Sequence, residues 1–277
     1  MPAADALSPI AHLDADASLL EEAARAAGRI ALGFFETDLK RWTKGDQSPV
    51  TEADIAVDTY LRESLSAARP DYGWLSEETA DTSDRFGRRT VFVVDPIDGT
   101  RAFIRGADEW TISLAVVTDG RPVAAAVFCP RHDEMFVAAA GRGAWLGAER
   151  MAAGRHPGLT GARIAGPRRV MSHGAAADAG IVAVPFVPSL AYRLALVAAG
   201  RLDGAASTRG PCDWDLAGAD LLVHEAGGRL SQLSGEPLLY NLEHPVHPPI
   251  AASGEPLHEA LLALLDETLA DRSAAQV

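Results

Sequence analysis

Apolar residues recur at three- and four-residue intervals through 18–35, so the chain is expected to open on an amphipathic helix. A second helix is expected from Glu52 to about Ala68. Thr51 heads it, with Asp54 three residues on, a pairing that satisfies free N–H groups at a helix start. The pattern then changes to short β-branched and aromatic runs bounded by turn formers. Strands are expected at 72–76, Thr90–Val94, Trp110–Val117, Pro122–Phe128, Glu134–Ala140 and Gly143–Leu146, with a hairpin turn at Thr118–Arg121. This half reads as two helices on a mainly antiparallel sheet.

From about Gly147 the character changes. Pro and Gly rise through 154–167, the mark of a boundary, and short strands then alternate with helices. Strands are expected at 163–165, 181–184 and 204–207, and helices at 189–199, 213–226 and 257–269. Two parts follow: an N-terminal α+β half over 1–147 and a C-terminal α/β half over 148–277. There is no internal repeat.

A length of 277 residues suits one large or two modest domains. The net charge of −13 argues against a nucleic-acid polymer or an anionic membrane as the main partner. It leaves room for a small anionic substrate, because bound cations can reverse the local field. Cys129 and Cys212 cannot form a disulfide framework and neither sits in a CxxC pair, which fits a reducing cytoplasm. The first residues lack a signal-peptide pattern. The most apolar stretch, 181–200, is broken by Pro185, Pro188 and Arg193, so it is a poor membrane span.

The sharpest chemical feature is Asp95-Pro96-Ile97-Asp98-Gly99-Thr100, directly after an apolar strand. Two carboxylates this close repel unless a cation lies between them, and hard oxygen donors suit Mg²⁺. The N–H groups of Gly99 and Thr100 could face an anion. By itself the segment reads equally as an ordinary turn. Other acids join it: Glu77-Glu78 at a strand end, and Asp54, Asp213 and Asp215 at helix starts, where capping is the competing reading.

Four blocks together resemble the inositol monophosphatase superfamily of Mg²⁺-dependent, lithium-sensitive phosphatases. They are Ser48–Asp54, Trp74–Glu78, Asp95–Thr100 and Trp214–Ala219 with Glu225–Gly228 behind it, in order over roughly residues 20–265. The resemblance implies a layered αβαβα sandwich with the site between its halves. It implies two or three Mg²⁺ ions on Glu77, Asp95, Asp98, Asp215 and the carbonyl of Ile97. It also implies that Asp54 pairs with Thr100 and that Gly99 and Thr100 hold the phosphate through backbone N–H groups. Glu77, Asp54 and Thr100 would position and deprotonate the attacking water. Lys44 matches the family's loop lysine loosely. The resemblance also implies dimerisation.

The substrate implied is a small phosphorylated metabolite. Inositol-selective members usually carry an acid several residues before the Trp-Asp pair; here that stretch is Ser207-Thr208-Arg209-Gly210-Pro211-Cys212. The segment Pro188–Leu194 looks like bacterial members that act on 3′(2′),5′-bisphosphate nucleotides, which makes Arg209 a candidate for the second phosphate. Inositol 1-phosphate, or another sugar or histidinol phosphate, is the alternative. A non-catalytic, metal-dependent binding protein on the same fold is a further one. His244 and His247, in a Pro-rich stretch, and His258, on an expected surface helix, are not read as ligands. Gly141-Arg142-Gly143 reads as a hairpin and Arg168-Arg169 as a solvated pair.

Overall fold

The structure is a computed structural model that describes residues 15–37, 40–43, 49–167, 171, 175–208 and 210–274. The N-terminal part begins with helix α1 (Ala15–Phe34), the hairpin β1 (Arg41–Thr43) and β2 (Pro49–Thr51), and helix α2 (Glu52–Ala68). Strand β3 (Gly73–Ser76), a 3₁₀ turn at Ser83–Gly87, β4 (Thr90–Asp98) and the short helix α3 (Thr100–Ile104) follow. A meander completes it: β5 (Thr111–Thr118), β6 (Arg121–Cys129), β7 (Glu134–Ala139), β8 (Gly143–Leu146) and β9 (Glu149–Arg150). The seven strands from β3 to β9 form one sheet in chain order, with only the β3–β4 pair parallel.

The later part contains β10 (Arg163–Ala165), α4 (Ala175–Asp178), β11 (Val182–Ala183), α5 (Leu190–Ala198), β12 (Gly204–Ser207) and α6 (Asp213–Glu225). It ends with β13 (Gly228–Gln232), β14 (Ile250–Gly254) and α7 (Glu255–Ala274). Its five strands are ordered β11-β10-β12-β14-β13, parallel on one side and antiparallel on the other.

Alternation along the strands builds the layers. Phe92, Val94, Ile112, Leu114, Val116, Ala124 and Ala126 bury one face of the first sheet with Leu20, Ala24 and Ala27 of α1 and Val57, Leu61 and Leu65 of α2. Val91, Val93, Ala115, Val117, Ala125 and Val127 bury the other face against α5 and α6. Those two helices also cover Ala205, Leu230 and Ala252 of the second sheet. Its outer face, Ile164, Ala206 and Ala251, packs on Leu257, Leu261 and Leu265 of α7. The result is five layers, helix–sheet–helix–sheet–helix. Gly218 lets α6 lie close to the first sheet: a Cβ there would sit 3.1 Å from the carbonyl oxygen of Leu114 and 3.3 Å from Val127.

The helix that carries His258 is not a surface feature at that position. His258 is fully buried, with Nε2 2.8 Å from Ser231 Oγ and Nδ1 3.1 Å from Ser253 Oγ. His247 is buried as well, bonded to Asp213. Both meet the oxygen partner that a buried imidazole requires. The Gly141–Gly143 turn joins β7 to β8, and the Glu225 carboxylate accepts both of its glycine N–H groups. Among the described residues, no helix is long and apolar enough to cross a membrane.

Candidate active site

In a regular strand, residues three apart face opposite sides of the sheet. Asp95 and Asp98 escape this rule because β4 bulges between them: Asp95 pairs with Ser113 and Asp98 with Thr111, so β4 holds one residue more than β5. The extra residue turns Asp98 back toward the side that Asp95 faces, where α6 lies. Gly99, at φ +96°, then reverses the chain into α3, a backbone conformation that side chains rarely adopt.

Asp215 comes from the first turn of α6. Its Oδ2 accepts the N–H of Cys212 at 2.6 Å, and Ser113 of β5 donates to the carbonyl of Trp214 at 3.3 Å. Oxygens of Asp95, Asp98 and Asp215 all lie within 4.8 Å of one another. Glu77 follows β3, its N–H bonded to the carbonyl of Val94, which sets it beside Asp95.

Asp54 reaches the same place through its helix cap. Thr51 N–H and Thr51 Oγ donate to Asp54 Oδ2 at 2.8 and 2.6 Å, closing a capping box. The other carboxylate oxygen accepts from Thr100 Oγ1 at 3.4 Å, and the same hydroxyl lies 3.1 Å from the carbonyl of Ile97. Capping and site roles coexist here, one per oxygen.

The electrostatics are those of crowded, buried anions. Burial raises Asp95 and Asp215 well above the ordinary carboxylate range; the charges of Glu77 and Asp98 add to it at Asp95, and those of Asp98 and Glu77 at Asp215. Asp54 and Asp98 are each raised to about 6, again chiefly by burial, although their hydrogen bonds oppose the shift. Asp95 Oδ1 accepts the Ile97 N–H, but its buried Oδ2 has no hydrogen-bond partner among the described residues. A nest of hard oxygen donors with an orphaned carboxylate oxygen suits a divalent cation, which would satisfy that oxygen and cancel the repulsion.

Three contributors from the segment Pro188–Leu194 were not given a site role from the sequence. Ser189 Oγ and the Ala191 N–H both donate to Asp98 Oδ2, each at 2.6 Å. Arg193, buried on α5, lowers the Asp98 pKa by its charge while donating to the carbonyls of Val187 and Ala206. The signal for Ser189 was its place as the helix cap. The signal for Arg193 was a lone charge inside the apolar stretch 181–200. Lys44, Arg168, Arg169 and Arg209 lie outside the described residues.

A five-layered sandwich with a carboxylate nest beside a Gly-Thr turn defines a class of metal-dependent phosphoric monoester hydrolases. The model of the inositol monophosphatase family matches residues 12–270, and the chain belongs to that family, whose members are metal-dependent phosphatases. It is 34% identical to a histidinol-phosphatase of Mycobacterium tuberculosis, over 73% of this chain and 81% of that one. It is 33% identical to an inositol-1-monophosphatase of Rhizobium meliloti, over 76% and 82%. A 3′(2′),5′-bisphosphate nucleotidase, CysQ, of Aggregatibacter actinomycetemcomitans is 30% identical, over 79% and 85%. The solved suhB structure from Bartonella henselae superposes with a TM-score of 0.80 at 29% identity, covering 91% of this chain and 98% of that one.

Proposed function

We propose that the protein is an Mg²⁺-dependent phosphomonoesterase whose substrate is a 3′(2′),5′-bisphosphate nucleotide. The observation that carries the chemistry is the gathering of Asp95, Asp98 and Asp215 around one point, with a carboxylate oxygen left over. In this reading the half at 1–147 supplies Glu77, Asp95, the Ile97 carbonyl and Asp98 as ligands, and the half at 148–277 supplies Asp215. Mg²⁺ held there would neutralise the substrate phosphate, activate water and stabilise the departing ester oxygen.

The chain's own groups do the rest. Backbone N–H groups of Gly99 and Thr100 orient the phosphate. Glu77 and the Asp54–Thr100 pair orient the attacking water, and its proton passes to Glu77 or through Thr100 Oγ1 to Asp54 Oδ1.

Support for the nucleotide is the absence of an acid in the stretch before Asp213, where an inositol would require hydrogen-bond acceptors, and the presence there of Thr208 and Arg209. The inositol or histidinol ester is the second reading, favoured by the two relatives of higher identity. The deciding measurement is kcat/KM for adenosine 3′,5′-bisphosphate against inositol 1-phosphate. The nucleotide is expected to be the better substrate. A tenfold preference for the inositol ester would reverse the assignment and leave the metal chemistry standing. Asp98→Asn keeps the side-chain shape and removes one charge, so turnover is expected to fall at least about a hundredfold in a folded protein. Near-normal turnover at saturating Mg²⁺ would remove Asp98 from the ligand set; a binding protein without turnover would release no phosphate from any of these esters.

A further inference from the structure

Between the β1–β2 strands and α3 lies an open cleft of about 390 Å³, lined chiefly by Arg41, Trp42, Pro49, Arg101, Ile104 and Arg105. That size lies within the range of small-molecule sites, roughly 300–1,000 Å³. Arg101, Ile104 and Arg105 are spaced i, i+3 and i+4, so they share one face of α3. Arg41 and Trp42 approach from β1.

Three arginines line one cleft here in a chain of net charge −13. None of them pairs with a described carboxylate, whereas Arg25, Arg69, Arg85, Arg89, Arg131, Arg163, Arg201 and Arg229 each do. Arginines set side by side repel one another, and an anion between them would remove that repulsion. Trp42 is 47% exposed beside them, so its ring face is free to stack. Arginine forks match phosphate oxygens two at a time, and an indole face accepts a planar ring. Among the described residues, no carboxylate lines the cavity.

We propose that this cavity is a second anion site, separate from the carboxylate nest, and that it takes a phosphate joined to a planar aromatic group, the size of a mononucleotide. Two sources carry that chemistry. Thr100 is the neighbour of Arg101, so the distal part of a substrate already held at Thr100 can reach the cavity. A separate ligand can occupy it as well. The site does not depend on which ester the carboxylate nest hydrolyses.

Calorimetric titration of AMP into the metal-free protein in EDTA tests this. Without cations the carboxylate nest repels phosphate, so binding must come from elsewhere. AMP is expected to bind and to quench tryptophan fluorescence. The Arg101→Gln/Arg105→Gln double variant, both sites being exposed, should weaken binding at least tenfold. Trp42→Phe should abolish the quenching. No binding in EDTA, or an affinity unchanged by the double variant, would overturn the proposal. With Mg²⁺ present, the ratio of KM for adenosine 3′,5′-bisphosphate to KM for β-glycerophosphate separates the sources. A ratio raised in the double variant assigns the group to the substrate, and an unchanged ratio assigns it to a separate ligand. Should the nucleotide prove a poor substrate, binding in EDTA would still stand or fall by itself.

Discussion

Ser189 joins the two ends of the site through one hydroxyl. Its single proton goes to Asp98, and its oxygen then accepts the Tyr192 N–H and the Thr111 hydroxyl, each at 3.0 Å. A side chain that caps a helix and also aims a proposed ligand should register in two measurements. Ser189→Ala is expected to lower stability by about 1 kcal/mol from loss of the cap. It should also raise the Mg²⁺ concentration for half-maximal activity by about tenfold or more, because partners of metal ligands carry effects of that size. Ser189→Thr, which keeps the hydroxyl, should recover most of both. A loss of stability with the Mg²⁺ requirement unmoved would leave Ser189 a cap and nothing more.

At the scale of elements, legibility followed amphipathic contrast. Helices α2, α5 and α6 and the strands from β4 to β8 stand close to where the periodicity puts them, because each buries a clear apolar face. Strand β14, Ile-Ala-Ala-Ser-Gly, was not legible. It is the fully buried neighbour of both β12 and β13, yet its small residues have weak strand preference. The bulge in β4 was equally invisible, since only pairing with β5 defines it. The acids of the site were legible as residues, but that Asp95 and Asp98 share a side was not.

Strand β14 also explains why His258 is buried: Ser253 on β14 and Ser231 on β13 hold its two nitrogens, which fastens α7 to the sheet. Burial lowers its pKa from 6.5 to about 4. The unfolded chain therefore binds this proton more readily, and stability is lost as pH falls from about 6.5 toward 4. The loss attributable to His258 should be on the order of 2 kcal/mol. The check is melting of wild type and His258→Gln at pH 7 and pH 4.5. The gap between them should narrow at the lower pH, and a constant gap would mean that this imidazole does not titrate with unfolding.

For the whole molecule, the carboxylate nest is a standing cost to the metal-free fold. Mg²⁺ is expected to raise the melting temperature, by the equivalent of about 2.7 kcal/mol at a hundred times its Kd. Asp95→Asn should lose most of that response and, in EDTA, should melt above the wild type, since it removes a buried charge whose Oδ2 lacks a partner. A variant that melts lower in EDTA and still responds fully to Mg²⁺ would contradict the placement of the cation. Lithium inhibition, typical of the family, is expected at millimolar concentration.

The middle helical layer has a consequence in time. The seven-stranded sheet is complete in the chain by Arg150, but of the two helices that cover its inner face, α5 and α6, the second starts only at Asp213, about 60 residues later. At ribosomal speeds of about 5–20 residues per second, that face waits roughly 3–13 s for its cover. During that interval Val91, Val93, Val117 and Val127 form a bare apolar surface on the nascent chain. The enzyme's exposure to chaperones and to aggregation is therefore set less by its finished stability than by the order in which its layers are synthesised.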